Sequence, residues 1–275
     1  MAPISAGAGG GEGAEASGGG PMGVTAERAA ELGERLAAVR ERIDSARADA
    51  GRGGSDVRLV VVTKFHPFED TLQLARLGAT DLGENRVQEA QAKAERWDEI
   101  AGASNDENVG QGAPRRPNLV MIGHIQSKKT GSVARWADEV QSVDSVKVAE
   151  GLARGRAREI DENGAEPLRC LVQLSLDGDT SRGGVASGDL LEVCATVAGA
   201  DSLRFGGIMV VPPLDGGDPA AHFASAASIR ERVLAEFPDA VEFSAGMTGD
   251  LEEAISAGST CVRVGTAIMG PRPIL

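Results

Sequence analysis

The 275-residue chain contains no tyrosine, and aromatic residues make up only 3% of it. Its formal net charge is −13, with a local basic spot at Lys128-Lys129. General nucleic-acid binding needs a basic surface, often with aromatic side chains that stack on bases, so we expect no nucleic-acid partner. No apolar run reaches the roughly 18 residues of a membrane-spanning helix, so we expect no membrane partner either.

Cysteine and histidine are scarce as well, with three residues of each. They are Cys170, Cys194, Cys261, His66, His124 and His222. Two of the cysteines lie in apolar runs and no CxxC motif occurs, so we expect buried, reduced thiols. No HExxH motif occurs and the histidines are far apart in sequence, so we predict no metal site.

Two segments differ in composition from the rest of the chain. Residues 1–21 are rich in glycine, alanine and serine and lack the basic and apolar regions of a signal peptide, so we expect a cytoplasmic protein. We assign residues 1–24 to a disordered tail and residues 25–275 to one folded domain, which we expect to be monomeric. Residues 101–117 are rich in glycine, asparagine and proline and predict a flexible surface insertion.

Strand-like and helix-like segments alternate through the folded part, after a first helix with Leu32, Leu36, Val39 and Ile43 on one face. The predicted strands cover residues 57–63, 79–82, 118–122, 139–142, 169–175, 205–211, 241–243 and 260–264. Strict β-α alternation implies parallel strands, because each crossover returns the chain to the same edge of the sheet. Eight such units predict an α/β fold, a single (β/α)8 TIM-type barrel with an extra N-terminal helix.

Lys64 closes the first predicted strand, which is otherwise mostly apolar. A lysine at the end of a buried strand is poorly hydrated, which favours the neutral amine that attacks aldehydes. The alternative is a lysine that simply extends from the strand end to water. The choice between the two depends on what else lies at the same end of the sheet.

In a barrel, functional residues collect at the C-terminal ends of the strands. The last two predicted strands are followed by Gly246 with Thr248 and by Gly265 with Thr266. Barrels often bind phosphate at this place, through backbone N–H groups, glycines and helix N-termini. Ordinary turn chemistry is the alternative, and Thr248 is also the predicted N-cap of a helix that starts near Asp250.

A strand-end lysine and a phosphate site at one end of a barrel indicate pyridoxal 5′-phosphate (PLP). This cofactor needs an amine for its aldehyde, an anion site for its phosphate and a partner for its ring nitrogen. Arg263, in the last strand, is the candidate partner of that nitrogen. A guanidinium there disfavours a protonated ring, because two cations would face each other, and this weakens carbanion chemistry.

Several stretches resemble the pyridoxal phosphate homeostasis protein family, whose fold is similar to the N-terminal domain of alanine racemase. They are Val62-Thr63-Lys64, Gly83-Glu84-Asn85-Arg86-Val87-Gln88-Glu89, Ile122-Gly123-His124-Ile125-Gln126-Ser127-Lys128-Lys129, Ser244-Ala245-Gly246-Met247-Thr248 and Val262-Arg263-Val264-Gly265-Thr266-Ala267. The resemblance implies a protein that holds PLP as a lysine Schiff base and supports its intracellular homeostasis.

The resemblance also implies a role for each site residue. Lys64 would be the Schiff-base lysine, Asn85 would lie by the ring, and Arg263 would meet the ring nitrogen. The phosphate would be held by Ser244, Gly246, Met247, Thr248, Gly265 and Thr266. No catalytic residue and no metal ligand is implied, and PLP-dependent apo-enzymes are the expected recipients of the cofactor.

In two other interpretations the protein is an enzyme. A racemase of the same fold type would need a tyrosine base from a second, C-terminal domain, but the sequence has no tyrosine and ends at Leu275, soon after the last predicted strand. His124 is an alternative acid or base for a weak side activity. A barrel enzyme for a phosphorylated metabolite, with Lys64 as its Schiff-base lysine, is the third interpretation. We expect a homeostasis protein and not an enzyme.

Overall fold

The computed structural model describes residues 23–103, 114–213 and 217–271 of the chain. Most of the predicted tail and of the predicted insertion lies outside these ranges, so both assignments stay predictions. The three cysteines are buried and form no disulfide, as predicted. Each helix within the described ranges is too short or too polar to span a bilayer.

The described residues form nine strands, nine α-helices and two short 3₁₀ turns. The strands are β1 (Arg58–Val62), β2 (Asp81–Glu84), β3 (Asn118–Met121), β4 (Glu139–Val143), β5 (Leu168–Ser175), β6 (Val185–Ala186), β7 (Leu203–Val210), β8 (Glu242–Ser244) and β9 (Cys261–Val264). The helices are α1 (Ala26–Asp49), α2 (Phe68–Arg76), α3 (Val87–Ala103), α4 (Thr130–Trp136), α5 (Val146–Asn163), α6 (Leu190–Ala198), α7 (Pro219–Glu236), α8 (Leu251–Ser256) and α9 (Thr266–Met269). The 3₁₀ turns are Ser127–Lys129 and Thr180–Arg182.

Eight of these strands close into a parallel barrel in the order β1-β2-β3-β4-β5-β7-β8-β9, with β9 paired to β1. The predicted (β/α)8 barrel with an extra N-terminal helix is therefore confirmed. Every predicted strand agrees with an observed one to within two residues at each end. The strand that the sequence did not predict, β6, has only two residues and pairs with β5 alone. A segment this short has no periodic pattern to detect.

Helix α1 precedes the barrel and packs against α8 and α9. The Thr25 side chain accepts a hydrogen bond from the Arg28 N–H at 3.2 Å and caps the start of the helix. The four residues of the predicted apolar face are all buried. Arg28 Nη2 also donates to the Met269 carbonyl at 3.0 Å, which ties α1 to the last turn of α9.

Five charged side chains close the N-terminal end of the barrel, and together they are called the base network: Arg58, Asp81, Glu139, Arg169 and Glu242. Arg58 donates to Asp81 at 2.9 Å and to the two oxygens of Glu139 at 2.7 and 2.8 Å. It also donates to Glu242 at 3.2 Å, and Arg169 pairs with both glutamates. Two guanidinium groups thus neutralise most of the charge of three carboxylates inside the barrel.

An open cavity of about 690 Å³ lies beside the base network, between α1 and the barrel strands. Of the arginines in its lining, Arg58 and Arg169 are paired with carboxylates of the base network, and Arg40 donates to the Leu77 and Gly78 carbonyls. It also lies at the opposite end of the barrel from the C-terminal strand ends. The candidate functional site is therefore at the other end, although the cavity there is smaller.

Candidate functional site

All eight barrel strands are parallel, so the loops that follow them meet at one end, which is called the mouth below. Lys64 follows β1, Asn85 follows β2 and His124 follows β3. Residues 245–250 follow β8, and Gly265 connects β9 to Thr266, the first residue of α9. The barrel therefore brings together the segments that the sequence assigned to one site.

The sequence predicts Lys64 at the end of the first strand. In the structure Lys64 lies in a turn beyond the end of β1. The strand ends at Val62, although the Thr63 N–H still donates to the Gly83 carbonyl at 3.0 Å. Phe65 has a φ of 69°, a left-handed conformation that is strained for a residue with a side chain. This bend takes the chain out of the sheet and leaves Lys64 half-buried at the rim of the mouth.

The strained backbone after Lys64 is held by side chains of α3. The Phe65 N–H donates to Glu89 Oε1 at 2.6 Å, and the Arg86 guanidinium lies 4.8 Å from the centre of the Phe65 ring. Lys93 Nζ, one helical turn after Glu89, lies 3.1 Å from the same carboxylate oxygen. A charge-assisted hydrogen bond therefore offsets part of the strain in the turn.

The backbone before Lys64 is held by a buried ion pair. Lys93 Nζ donates to the Thr63 carbonyl at 2.8 Å and to Glu84 Oε1 at 2.6 Å. The Thr63 hydroxyl donates to the same Glu84 oxygen at 2.6 Å. Burial raises the pKa of Glu84, and the charge of Lys93 acts against this rise. These contacts and those of Glu89 form one unit, the turn network, which fixes the chain on both sides of Lys64.

Replacing Glu89 should loosen the turn that carries Lys64. In Glu89→Leu the Phe65 N–H loses its partner, and we expect the free energy of unfolding to fall by about 1–3 kcal/mol. Glu89→Gln keeps an acceptor and should lose about 1 kcal/mol or less. Urea unfolding measures both, with Glu99→Leu on the exposed side of the same helix as the control. Unchanged stability in Glu89→Leu would show that the turn needs no support from α3.

Arg263 lies inside the barrel, where a column of hydrogen bonds connects it to the base network. Its Nη1 donates to Ser244 Oγ at 2.5 Å, and its Nη2 donates to the Val210 carbonyl at 2.8 Å. Ser244 Oγ donates to Gln141 Oε1 at 2.7 Å, and Gln141 Nε2 donates to Glu139 Oε1 at 2.7 Å. Burial lowers the pKa of Arg263, yet a guanidinium remains a cation.

The resemblance implied that Ser244 holds the phosphate, but in the structure Ser244 is part of this column. Ser244 is fully buried, because the alternation of side chains along β8 turns it into the barrel. Its single hydroxyl proton is used for Gln141, so it cannot at the same time be donated to a phosphate. Ser244 holds the Arg263 guanidinium in place from below.

Two loops at the mouth offer backbone N–H groups that are not used elsewhere. The Arg263 N–H donates to the Gly246 carbonyl at 3.0 Å and so fastens the loop after β8 to β9. Six N–H groups of the two loops and of the first turn of α9 make no hydrogen bond to another described residue. Besides those of Gly246 and Gly265 they are those of Thr248, Gly249, Thr266 and Ala267, which are called the four unpaired N–H groups below. Clustered, unpaired N–H groups of this kind favour an anion.

Thr248 does not cap α8, contrary to the prediction. Asp250 precedes this helix, and its carboxylate accepts the Met247 N–H at 2.6 Å, so Asp250 closes the turn. The Thr248 carbonyl accepts from Arg42 Nη2 at 3.1 Å, which orients the residue from outside the barrel. The structure therefore leaves the Thr248 hydroxyl without a capping role, while the Met247 N–H is occupied.

The two glycines of these loops have packing reasons of their own. Gly246 has a φ of 97°, and a Cβ on it would lie 2.7 Å from the Cβ of Ala254 in α8. A Cβ on Gly265 would lie 3.2 Å from the Cβ of Val62 in β1. Larger residues would push the loops away from α8 and β1. The glycines shape the candidate anion site whether or not they touch a ligand.

A cavity of about 190 Å³, called the mouth cavity, opens among the segments that follow β2, β3, β5 and β7 and is lined by Asn85. The backbone of Asn85 is packed closely, since a Cβ on Gly123 would lie 2.1 Å from its carbonyl oxygen. His124, also in the lining, has Nδ1 at 2.7 Å from Asp144 Oδ2. Asn85 is thus held at the mouth, where the resemblance places the ring.

One side of the mouth cavity contains none of the residues predicted from the sequence. This side is formed by β5 and its following loop, with Gln173, Ser175, Asp177, Asp179 and Arg182 in the lining. None of them belongs to a motif with a recognised spacing. The available signal was a glutamine and a serine in an otherwise apolar strand.

Comparisons with known proteins agree with this geometry. Residues 35–273 match the family model of the alanine racemase N-terminal domain. The pyridoxal phosphate homeostasis protein of Corynebacterium glutamicum is 44% identical over 238 residues, which are 86% of this chain and 100% of the relative. That of Mycobacterium tuberculosis is 43% identical over 250 residues, 90% and 95% of the two chains. The structure of PipY from Synechococcus elongatus with PLP bound is 27% identical, with a TM-score of 0.69 over 87% of this chain and 100% of that one.

The closed parallel barrel, with Lys64 in a turn after its first strand and loops with unpaired N–H groups after its last two, is of the alanine racemase N-terminal type. The curated relatives are matched over nearly their whole length. The chain belongs to the pyridoxal phosphate homeostasis protein family. The resemblance predicted from the sequence motifs is confirmed.

Proposed function

We propose that this chain binds PLP as a Schiff base on Lys64 and keeps the cofactor available inside the cell, without turning over a substrate. The names of the relatives and the PLP-bound PipY structure support the binding and the homeostasis role. The proposal includes that the chain is monomeric and cytoplasmic and that it supplies PLP to PLP-dependent apo-enzymes.

One observation carries the proposal: Lys64, Arg263 and the four unpaired N–H groups belong to loops and strand ends of the same barrel mouth. Each fits one part of the cofactor. The amine suits the aldehyde, the guanidinium suits the ring nitrogen, and the N–H groups suit the phosphate. The residues present therefore fit PLP.

The proposed contacts divide the site residues by role. Thr248 and Thr266 hold the phosphate with their hydroxyls and N–H groups, next to the loop glycines Gly246 and Gly265 and to Met247. Asn85 lies by the ring. Ser244 keeps its place beneath Arg263 and acts on the cofactor only through that guanidinium.

Arg263 also sets the chemistry that the site favours. A bound PLP supplies an aldehyde and an electron-withdrawing ring. Arg263 is held by Ser244 and by the Val210 carbonyl, and its positive charge disfavours a proton on the ring nitrogen. The ring then withdraws electrons weakly, which suits a carrier of the cofactor better than a catalyst.

No structural observation favours the racemase alternative. The sequence has no tyrosine, and the names of the curated relatives describe homeostasis and not an enzyme. His124, paired with Asp144, is the available acid-base group at the mouth, but its side chain is 61% exposed. A catalytic base that faces bulk water is poorly placed for proton abstraction from carbon. The expectation of a non-enzyme agrees with the relatives.

The phosphate contacts can be tested by titrating the purified chain with PLP and with pyridoxal. We expect PLP to give a Schiff-base absorbance that borohydride removes, and pyridoxal to bind at least about tenfold more weakly. Thr248→Ala and Thr266→Ala should each weaken PLP binding by about 1–3 kcal/mol, because each removes a charge-assisted hydrogen bond. Thr196→Ala, in the outer helix α6, is the control. Equal affinity for PLP and pyridoxal would eliminate the phosphate site.

The hand-over of the cofactor needs a separate experiment. The PLP-loaded chain is mixed with a PLP-dependent apo-enzyme, and the recovery of that enzyme's activity is followed. Recovery faster than with an equal amount of free PLP supports direct supply. Recovery that is never faster would restrict the function to storage.

A further inference from the structure

The mouth cavity is lined by an amide that has no partner among the described residues. Gln173 is 8% exposed and lines the cavity. Along β5, alternation turns Gln173 to the same side as Arg169, which reaches the base network inside the barrel. The Gln173 side chain makes no hydrogen bond to another described residue. An amide that lines a cavity without a protein partner has its donors and its acceptor available to a ligand.

The loop above Gln173 leaves its amide accessible from the cavity. Gly183 lies over it, and a Cβ on Gly183 would lie only 3.4 Å from Gln173 Nε2. Gly183 also has a φ of 86°, a conformation that a residue with a side chain rarely adopts. The loop therefore keeps a residue without a side chain directly above the amide.

The rim of the cavity carries more negative than positive charge. Asp177 and Asp179 both pair with one guanidinium, that of Arg182. A hydrogen bond from the Asp179 N–H, at 3.0 Å, holds the pKa of the Asp177 carboxyl below its usual range, so this group is ionised. On the other side, His124 is already paired with Asp144 and adds no unbalanced cation. The lining therefore has two carboxylates, those of Asp177 and Asp179, against the one guanidinium of Arg182.

We propose that the mouth cavity binds a primary ammonium group, such as a lysine side chain presents. The ammonium donates to the Asp177 carboxylate and to Gln173 Oε1, while its methylene chain lies along Ile122 and Val211. The purpose of this ammonium site rests on the proposed function, because a primary amine is the group that accepts an aldehyde cofactor. The recipient of the PLP is then a lysine side chain of another protein.

The site can be tested on the full chain freed of cofactor, by calorimetric titration with Nα-acetyl-lysine amide. The matched probe is Nα-acetyl-norleucine amide, which has the same carbon chain without the ammonium, at equal ionic strength. We expect the lysine probe to bind saturably and the norleucine probe at least about tenfold more weakly. Equal binding of both probes, or no binding of either, would overturn the proposal.

Variants locate the binding in the mouth cavity. Asp177→Asn and Gln173→Leu should each weaken the lysine probe by about three- to tenfold, since each removes one partner of the ammonium. Asp161→Asn, at an exposed position of α5, should leave it unchanged. An unaffected Asp177→Asn variant would move the binding elsewhere. Tighter binding of 1,5-diaminopentane than of the lysine probe would assign the cavity to free diamines and overturn the choice of lysine.

PLP uptake by the unmodified chain separates this inference from the proposed function. A chain that binds the lysine probe but forms no Schiff base with PLP overturns the proposed function and leaves the ammonium site standing. A chain that forms the Schiff base but does not bind the lysine probe overturns the ammonium site alone.

Discussion

Lys64→Ala should abolish the Schiff-base absorbance of the PLP-loaded chain while leaving the barrel folded. Lys64 is half-buried in a turn beyond β1, so its side chain fills no part of the core. The turn network holds the backbone around it through Thr63 and Phe65, and these contacts survive the substitution. Visible absorbance and borohydride trapping followed by mass spectrometry measure the loss, and urea unfolding checks the fold.

Two controls sharpen the Lys64 experiment. Lys64→Arg keeps the positive charge but offers no amine for a Schiff base, so it should lose the absorbance as well. Lys147→Ala, at an exposed position of α5, should retain it. Lys93 is close in the fold but is buried and paired with Glu84, so it cannot replace Lys64. A band that persists in Lys64→Ala would mean that another lysine carries the cofactor.

The barrel was predictable from the sequence because strand-like and helix-like segments alternate, and β1 and β9 are short runs rich in valine. The run before Lys64 and the run that contains Arg263 are buried on both faces, which removes the need for polar alternation. The parallel order then places their C-terminal ends together. Local patterns and one rule of topology are therefore enough to predict which end of the barrel carries the candidate site.

The internal contacts of the site were not predictable in the same way. Lys93 supports the Lys64 turn from α3, and Ser244 faces Gln141 and not a phosphate. Gln173 and Arg182 line one cavity only because the loop after β5 folds back over the mouth. Each of these depends on barrel closure and on which face of a strand turns inward. A single sequence has no pattern that pairs residues so far apart.

Arg58→Met should destabilise the barrel by about 3–5 kcal/mol, which is the usual cost of leaving buried charges without a partner. The side chains of Asp81 and Glu139 are each only 3% exposed, and Arg58 donates to both. Burial opposes the Arg58 cation, but the hydrogen bonds and charges of these carboxylates raise the pKa of Arg58 above its ordinary value. Without Arg58, three carboxylates share the single guanidinium of Arg169. Urea unfolding at neutral pH measures the loss.

Matched variants separate this effect from the general loss of a surface charge. Arg154→Met removes an exposed ion pair to Glu150 at 3.6 Å and should cost less than about 1 kcal/mol. The double variant Arg58→Met with Glu139→Met removes both charges and should recover part of the stability. Glu139 also receives the hydrogen bond of Gln141, the lowest link of the column that ends at Arg263. If the free energy of unfolding fell by less than about 1 kcal/mol in Arg58→Met, the base network would be no stronger than a surface ion pair. The support of Arg263 would then come from Ser244 and Val210 alone.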